Sequence, residues 1–146
     1  GKKWGSTYLT KEFFYEIGKN FSDKILLFVA YKDEKMIASA INFLSSTHLY
    51  GRLWGSLYDI PYLHFELCYY QAIDYAIENN IQIVEAGAQG EHKLQRGYMP
   101  ESTWSLHWIK DQQFSQAITK YLNEEIKIIG NQKEGLEEFT PFKKLN

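Results

Sequence analysis

A single cysteine, Cys68, rules out any intrachain disulfide, and it stands inside an apolar helical pattern. The cystine-stapled scaffolds of small secreted domains are thereby excluded, and a reducing, cytoplasmic setting is expected. Charge of one sign is also scarce: the formal net charge is -2. No broad basic field exists to draw nucleic acid. Long hydrophobic runs are missing too. The longest, Ile25 to Ala30, is bounded by Lys24 and Lys32, against the roughly 20 apolar residues that a membrane span needs. No secretory leader is readable. The histidines, His48, His64, His92 and His107, show no pair at a short ligand spacing such as His-x-x-x-His. With one thiol besides, no metal centre is expected. The Gly-x-Ser-x-Gly elbow of serine hydrolases is absent.

What is present suits one domain with one core: 146 residues, 45% of them hydrophobic. Aromatic residues reach 16%, enough to fill that core and to spare some rings for a pocket. The expected domain covers residues 1–129, with residues 130–146, poor in apolar groups, as an irregular tail.

Periodicity divides the chain into elements. Thr10 can cap a helix to about Asn20 whose inner face carries Phe13, Phe14 and Ile17. KILLFVAYK, Lys24 to Lys32, is apolar on both faces, as in a central strand. After the turn Asp33-Glu34, MIASAINFL (36–44) and THLYGRLW (47–54) continue an antiparallel meander. Pro61 suits a first helical turn, and Phe65, Cys68/Tyr69, Ala72/Ile73 and Ala76/Ile77 then recur at helical spacing to Glu78. IQIVEA (81–86) is a short strand expected to pair in parallel with 47–54, because a strand–helix–strand crossover returns that way. Gly87 and Gly90 bracket a loop, Glu91 to Arg96 form a short helix stopped by Gly97, and Thr103 to Ile109 alternate as a further strand with Trp104, Leu106 and Trp108 on one face. Asp111 caps a last helix with the stripe Phe114, Ile118, Tyr121/Leu122 and Ile129. An α/β (α+β) fold with a mixed sheet flanked by helices follows, in the element order of GNAT acyltransferases.

Two blocks are more specific. HFELCYYQAIDYAI and EAGAQGEHKLQRGYMP, within Gly51 to Ile109, resemble the GNAT-like bacterial peptidoglycan biosynthesis/recognition family, which is similar to the Fem-type aminoacyl transferases. The acidic-Gly strand end, the lysine and the Gly-aromatic pair of that group correspond to Glu85, Gly87, Lys93, Gly97 and Tyr98. The resemblance implies a GNAT-like fold and transfer of an acyl or aminoacyl group from a small-molecule donor to an amine acceptor. It also implies that this chain matches the C-terminal half of a longer, tandem protein, with a second GNAT-like half as partner. The donor stays open between acyl-CoA and aminoacyl-tRNA. Where a CoA-using GNAT has a Gly-rich loop for the pyrophosphate, this sequence has Ser56-Leu57-Tyr58-Asp59-Ile60-Pro61. Pro61 lacks a donor and Asp59 repels phosphate.

The candidate site is the segment 86–100. It follows the end of a parallel strand, where open α/β sheets bind ligands. Gly87, Gln89 and Gly90 would let a ligand approach the backbone. Glu91 would be a general base, His92 a proton shuttle, Lys93 a point charge and Arg96 a bidentate fork, with His92 and Arg96 one turn apart. A Gly-capped turn beside a solvated charged helix would use the same residues with no chemistry at all. His64, early in the crossover helix, and Arg52, near the loop before it, are the secondary substrate-binding candidates. An ordinary pair with Asp59 is an equally good account of Arg52, and packing against the sheet is the expected role of His107. The alternative to catalysis is a GNAT-shaped module that binds a cell-wall precursor or a protein.

Overall fold

In the computed structural model, residues 9–87 and 90–143 are described, with the Glu91 side chain outside that set. The chain clusters into two compact units, Gly1–Gln89 and Gly90–Asn146.

The first unit begins with the helix Lys11–Asn20, capped by Thr10, whose hydroxyl accepts from the Phe13 N–H at 3.3 Å. Strands β1 (Ile25–Lys32), β2 (Lys35–Leu44), β3 (His48–Ser56) and β4 (Ile83–Glu85) form one sheet in the order β1-β2-β3-β4. The first three are antiparallel. Asp33 and Glu34, both at positive φ, make the tight turn between β1 and β2. β4 returns parallel to β3, with His48, Leu49 and Tyr50 opposite Ile83, Val84 and Glu85. The parallel crossover expected from the strand–helix–strand order is therefore present, and β4 is shorter than residues 81–86.

KILLFVAYK is not central. Among the described residues β1 ends the strand order, with β2 as its neighbour, and Leu27 on it is exposed. The burial falls instead on β2 and β3, on Ile37, Ala38, Ala40 and Leu49. Ala38 and Ala40 cluster with Leu67, and Phe28, Ala30, Leu63 and Cys68 pack around them. Small side chains on the strand let the crossover helix come close.

That helix differs from its periodic reading in three ways. It starts at Leu63, after Tyr62 at φ 67°, so Pro61 precedes the first helical turn rather than opening it. Between Leu63–Phe65 and Gln71–Glu78 it widens into a π turn, Glu66–Tyr70, in which the Gln71 N–H donates to the Glu66 carbonyl. One π turn spans five residues, which brings Leu67 above Ala72, and both are buried. The buried stripe then runs through Leu67, Tyr69, Ala72 and Ala76, while Ile73 is half-buried and Ile77 is exposed. Asp74 and Glu78 are exposed, as the pattern predicts.

The second unit contains the 3-10 helix Glu91–Arg96 and the helix Gln112–Glu137. Asp111 caps the latter by accepting from the Phe114 N–H at 2.8 Å. The helix continues past residue 130, where the apolar stripe had suggested an irregular tail, since 130–136 holds no proline to stop it. None of its residues is buried. Thr103 to Ile109 do not form a strand. The described residues of this unit offer no strand to pair with, and Trp104, Leu106 and Trp108 stand 85%, 100% and 84% exposed.

Candidate functional site

The segment 86–100 crosses the boundary between the units, so its parts are built separately. In the first unit, β4 ends at Glu85 and Gly87 follows at φ 74°, a conformation that glycine adopts at little cost. Gln89 lies outside the described residues.

In the second unit, Gly90 (φ 105°) leads into the 3-10 helix, and its carbonyl accepts from the Lys93 N–H at 3.0 Å. Any β-carbon at Gly90 would lie 2.6 Å from the His92 ring. Gly97, at φ 86°, ends the helix, with the Tyr98 N–H donating to the Lys93 carbonyl at 3.2 Å. A β-carbon there would meet the Phe142 ring at 2.7 Å. Both glycines are thus fixed by backbone conformation and by neighbours. The 3-10 form also changes which side chains align. Residues three apart eclipse in such a helix, so Lys93 and Arg96 share a side rather than His92 and Arg96. Arg96 instead reaches back, its Nη1 donating to the His92 carbonyl at 2.7 Å. His92 is exposed, whereas Lys93 and Arg96 are half-buried. Partial burial lowers the Lys93 pKa from its ordinary value, since a desolvated ammonium is disfavoured. This helix therefore holds two cations, of which one gives up its proton more readily than a free lysine. Glu91 opens the helix by its backbone.

His64 and Arg52 are brought together elsewhere, on the first unit. A cavity of ≈ 140 Å³ is lined by Asn42, Gly51, Arg52, Trp54, His64 and Tyr69, with Cys68 and Ala86 beside them. The His64 ring meets Trp54 at 5.3 Å and Tyr69 at 5.4 Å, both edge-on. Arg52 sits at a bulge: Ile41 pairs with Leu53 and Asn42 with Gly51, which leaves Arg52 as the extra residue of β3. Bulges of this kind re-aim a side chain. Burial pushes the Cys68 thiol up to about 11. Asn42, Trp54, Cys68 and Tyr69 were not singled out from sequence as site residues. Asn42 did carry a signal, as an amide in the otherwise apolar half-strand INFL; the rings carried none that separates pocket from core.

The turn before the crossover helix does not fit a CoA pyrophosphate. Leu57 N–H donates to the Ile37 carbonyl at 2.8 Å, Tyr58 N–H to Ser56 Oγ at 3.3 Å and Leu63 N–H to the Ile60 carbonyl at 3.3 Å. Those donors are already taken by acceptors of the chain, and Pro61 has none. Among the described residues no group of three or more His, Cys, Asp or Glu is placed to hold a metal ion, and no helix is long and apolar enough to cross a membrane. His107 contacts Ser105 Oγ at 2.9 Å in the exposed 101–109 segment and does not pack on a sheet.

Compared with known families, the chain matches the FemAB-like profile, described as peptidoglycan biosynthesis/recognition, over residues 1–144. The chain belongs to the FemAB-like family. No curated protein and no solved structure matches it. The family match covers the meander and the crossover as well as the 86–100 segment, so the glycine-bracketed cations and the His64–Arg52 cavity both lie within FemAB-like sequence. The family's description places its members in the biosynthesis or recognition of peptidoglycan.

Proposed function

We propose that this FemAB-like chain is a GNAT-type N-acyltransferase domain of peptidoglycan metabolism, moving an acyl or aminoacyl group onto an amine. The observation that carries the reading is the parallel β3–β4 pair joined by the crossover helix, with Gly87 at positive φ just beyond the carboxyl end of β4. That is where ligands bind in sheets of this kind. Family membership supplies the chemical setting. On this reading residues 1–129 act as the C-terminal of two GNAT-like halves, in the cytoplasm, with Cys68 reduced.

The reaction forms a C–N bond between the amine and the acyl carbonyl and breaks the bond from that carbonyl to the donor's oxygen or sulfur. The amine must lose a proton, and the leaving group must gain one. Glu91 is proposed to take the proton and His92 to pass it on. Lys93 and Arg96 hold the donor's anionic part or the developing oxyanion, and Gly87, Gln89 and Gly90 let it approach the backbone. The N–H groups of Leu57, Tyr58 and Leu63, already bonded within the chain, favour a donor that needs no diphosphate cradle there, such as an aminoacyl-tRNA, over acyl-CoA. The same observation favours a second reading, a GNAT-shaped module that binds a cell-wall precursor without catalysis.

The test is the variant Lys93→Ala/Arg96→Ala, followed by melting and by transfer from aminoacyl-tRNA or acyl-CoA to an amine. Half-exposed cations contribute about 0–1 kcal/mol to folding, so the variant should melt near the parent. A lost charged contact to ligand costs about 1.5–3 kcal/mol, so transfer should fall at least tenfold. Full activity in the folded variant would place the chemistry elsewhere; no transfer by the parent with any donor would favour the binding module.

A further inference from the structure

Residues 103–109 have a strand's alternation, and among the described residues of their unit no strand lies beside them. In an extended chain every second side chain shares a face. Trp104, Leu106 and Trp108 therefore make one apolar row, and each of them is almost wholly exposed. A single exposed apolar side chain is ordinary on a protein surface, whereas a contiguous patch marks an interaction site. At about 200 Å² for a large side chain, the row offers on the order of 500 Å² from one chain. Two such rows supply about 1,000 Å² in all, the area of a weak, reversible interface rather than a permanent one.

The order of the side chains selects the partner. Outward from Leu106 the row reads the same in both directions, with Ser105 and His107 next to it and a tryptophan beyond each. A two-fold dimer presents the same patch from both copies, and strands that pair about such an axis run antiparallel. With the axis at Leu106, this leucine meets its own counterpart. Trp104 then lies opposite the second copy's Trp108, and Ser105 opposite its His107. Apolar positions face apolar ones on one side of the ribbon, and polar positions face polar ones on the other. Aromatic pairs placed directly across a ladder are favourable. Moving the axis by one residue either way sets a tryptophan opposite Ser102 or Lys110. The pairing stops at 103 and 109 because Glu101 would next face Asp111, and opposed like charges are unfavourable.

We infer that residues 103–109 form a homodimer contact, in which two copies of this chain pair antiparallel about Leu106. The ribbon has two strands only, and such a ribbon is marginal by itself. Association is therefore reversible, with a dissociation constant on the order of 10–100 µM. The dilute chain is monomeric, and its folding stability does not depend on the row.

The experiment is sedimentation equilibrium of the chain from about 5 to 500 µM, a span that brackets this constant. A monomer–dimer equilibrium is expected. Leu106→Lys changes a fully exposed residue and sets two ammonium groups together at the axis. It should keep the far-UV circular dichroism of the parent and weaken association at least about tenfold. A second measurement reads the register. Leu106→Cys should link to its counterpart under mild oxidation, since directly opposed Cα atoms lie about 4.5–5.5 Å apart, within reach of a disulfide. Ile109→Cys, which faces Thr103, should link at least about tenfold more slowly, and Cys68 is the same in both variants. A monomer at every concentration, growth beyond a dimer, association unmoved by Leu106→Lys, or equal linking at 106 and 109 would each overturn the proposal. A monomer whose tryptophan emission is that of buried rings would show that the row is covered within one chain, and would overturn it too.

Discussion

Cys68 and Asn42 face the same cavity and show how burial changes what a side chain can do. The thiol, pushed from 9.0 to about 11 by desolvation, keeps its proton through the neutral range. The thiolate is the reactive form, so alkylation of the folded chain by iodoacetamide at pH 8 should run about a hundredfold slower than for a thiol of ordinary pKa. The rate should rise up to about pH 11. The sign for stability follows: folding holds the proton more tightly than the unfolded chain does. The contribution of Cys68 is constant below pH 9.0 and is lost as pH rises through about 11. A plateau in the alkylation rate near pH 9 would show that the thiol is solvated. Cys68 was visible in the sequence as an apolar helical position, but the depth of its burial depends on Ala38 and Ala40 across from it, which no local pattern states.

At the scale of elements, the π turn Glu66–Tyr70 has the largest consequence. A uniform 3.6-residue period puts Ile77 on the inner face beside Ala76, and the extra residue in the widened turn rotates the rest of the helix so that Ala72 and Ala76 stay buried while Ile77 turns outward. Ile77, 71% exposed, should therefore tolerate Ile77→Ala within about 0.5 kcal/mol. Ala76, 4% exposed, has no room for growth, and Ala76→Leu should cost about 1–3 kcal/mol by overpacking. Urea denaturation of the pair decides between the faces, because the uninterrupted helix predicts the larger loss at Ile77. The 3-10 form of Glu91–Arg96 acts in the same manner on a smaller scale, exchanging the His92–Arg96 alignment for Lys93 with Arg96. In both helices composition announced the element, while the hydrogen-bond period chose the face.

On the scale of the whole molecule, the alternation of Trp104, Leu106 and Trp108 is the clearest conflict between pattern and place. The residues have a strand's period, yet they are exposed and unpaired in the backbone ladder. Trp104→Ser and Trp108→Ser should each change the stability of this chain by no more than about 0.5 kcal/mol, read from melting or urea curves. A loss of several kcal/mol would show that these rings are packed in solution. Some features were settled by the chain's own residues. Thr10 and Asp111 cap helices because their side chains reach N–H groups three residues on. Asp33-Glu34 turns the hairpin, and the strand–helix–strand order makes β4 parallel to β3, since a crossover of that kind returns right-handed. The Gly87–Gly97 segment was legible for the same local reason, its glycines standing where φ is positive. Other features needed distant partners. The position of β1 at the end of the strand order, the bulge that makes Arg52 the extra residue of β3 and the meeting of Asn42 with His64 across β2, β3 and the helix depend on contacts between residues far apart in sequence. Local periodicity reports which side of an element is apolar; only packing decides what that side meets and which polar group is left facing a cavity.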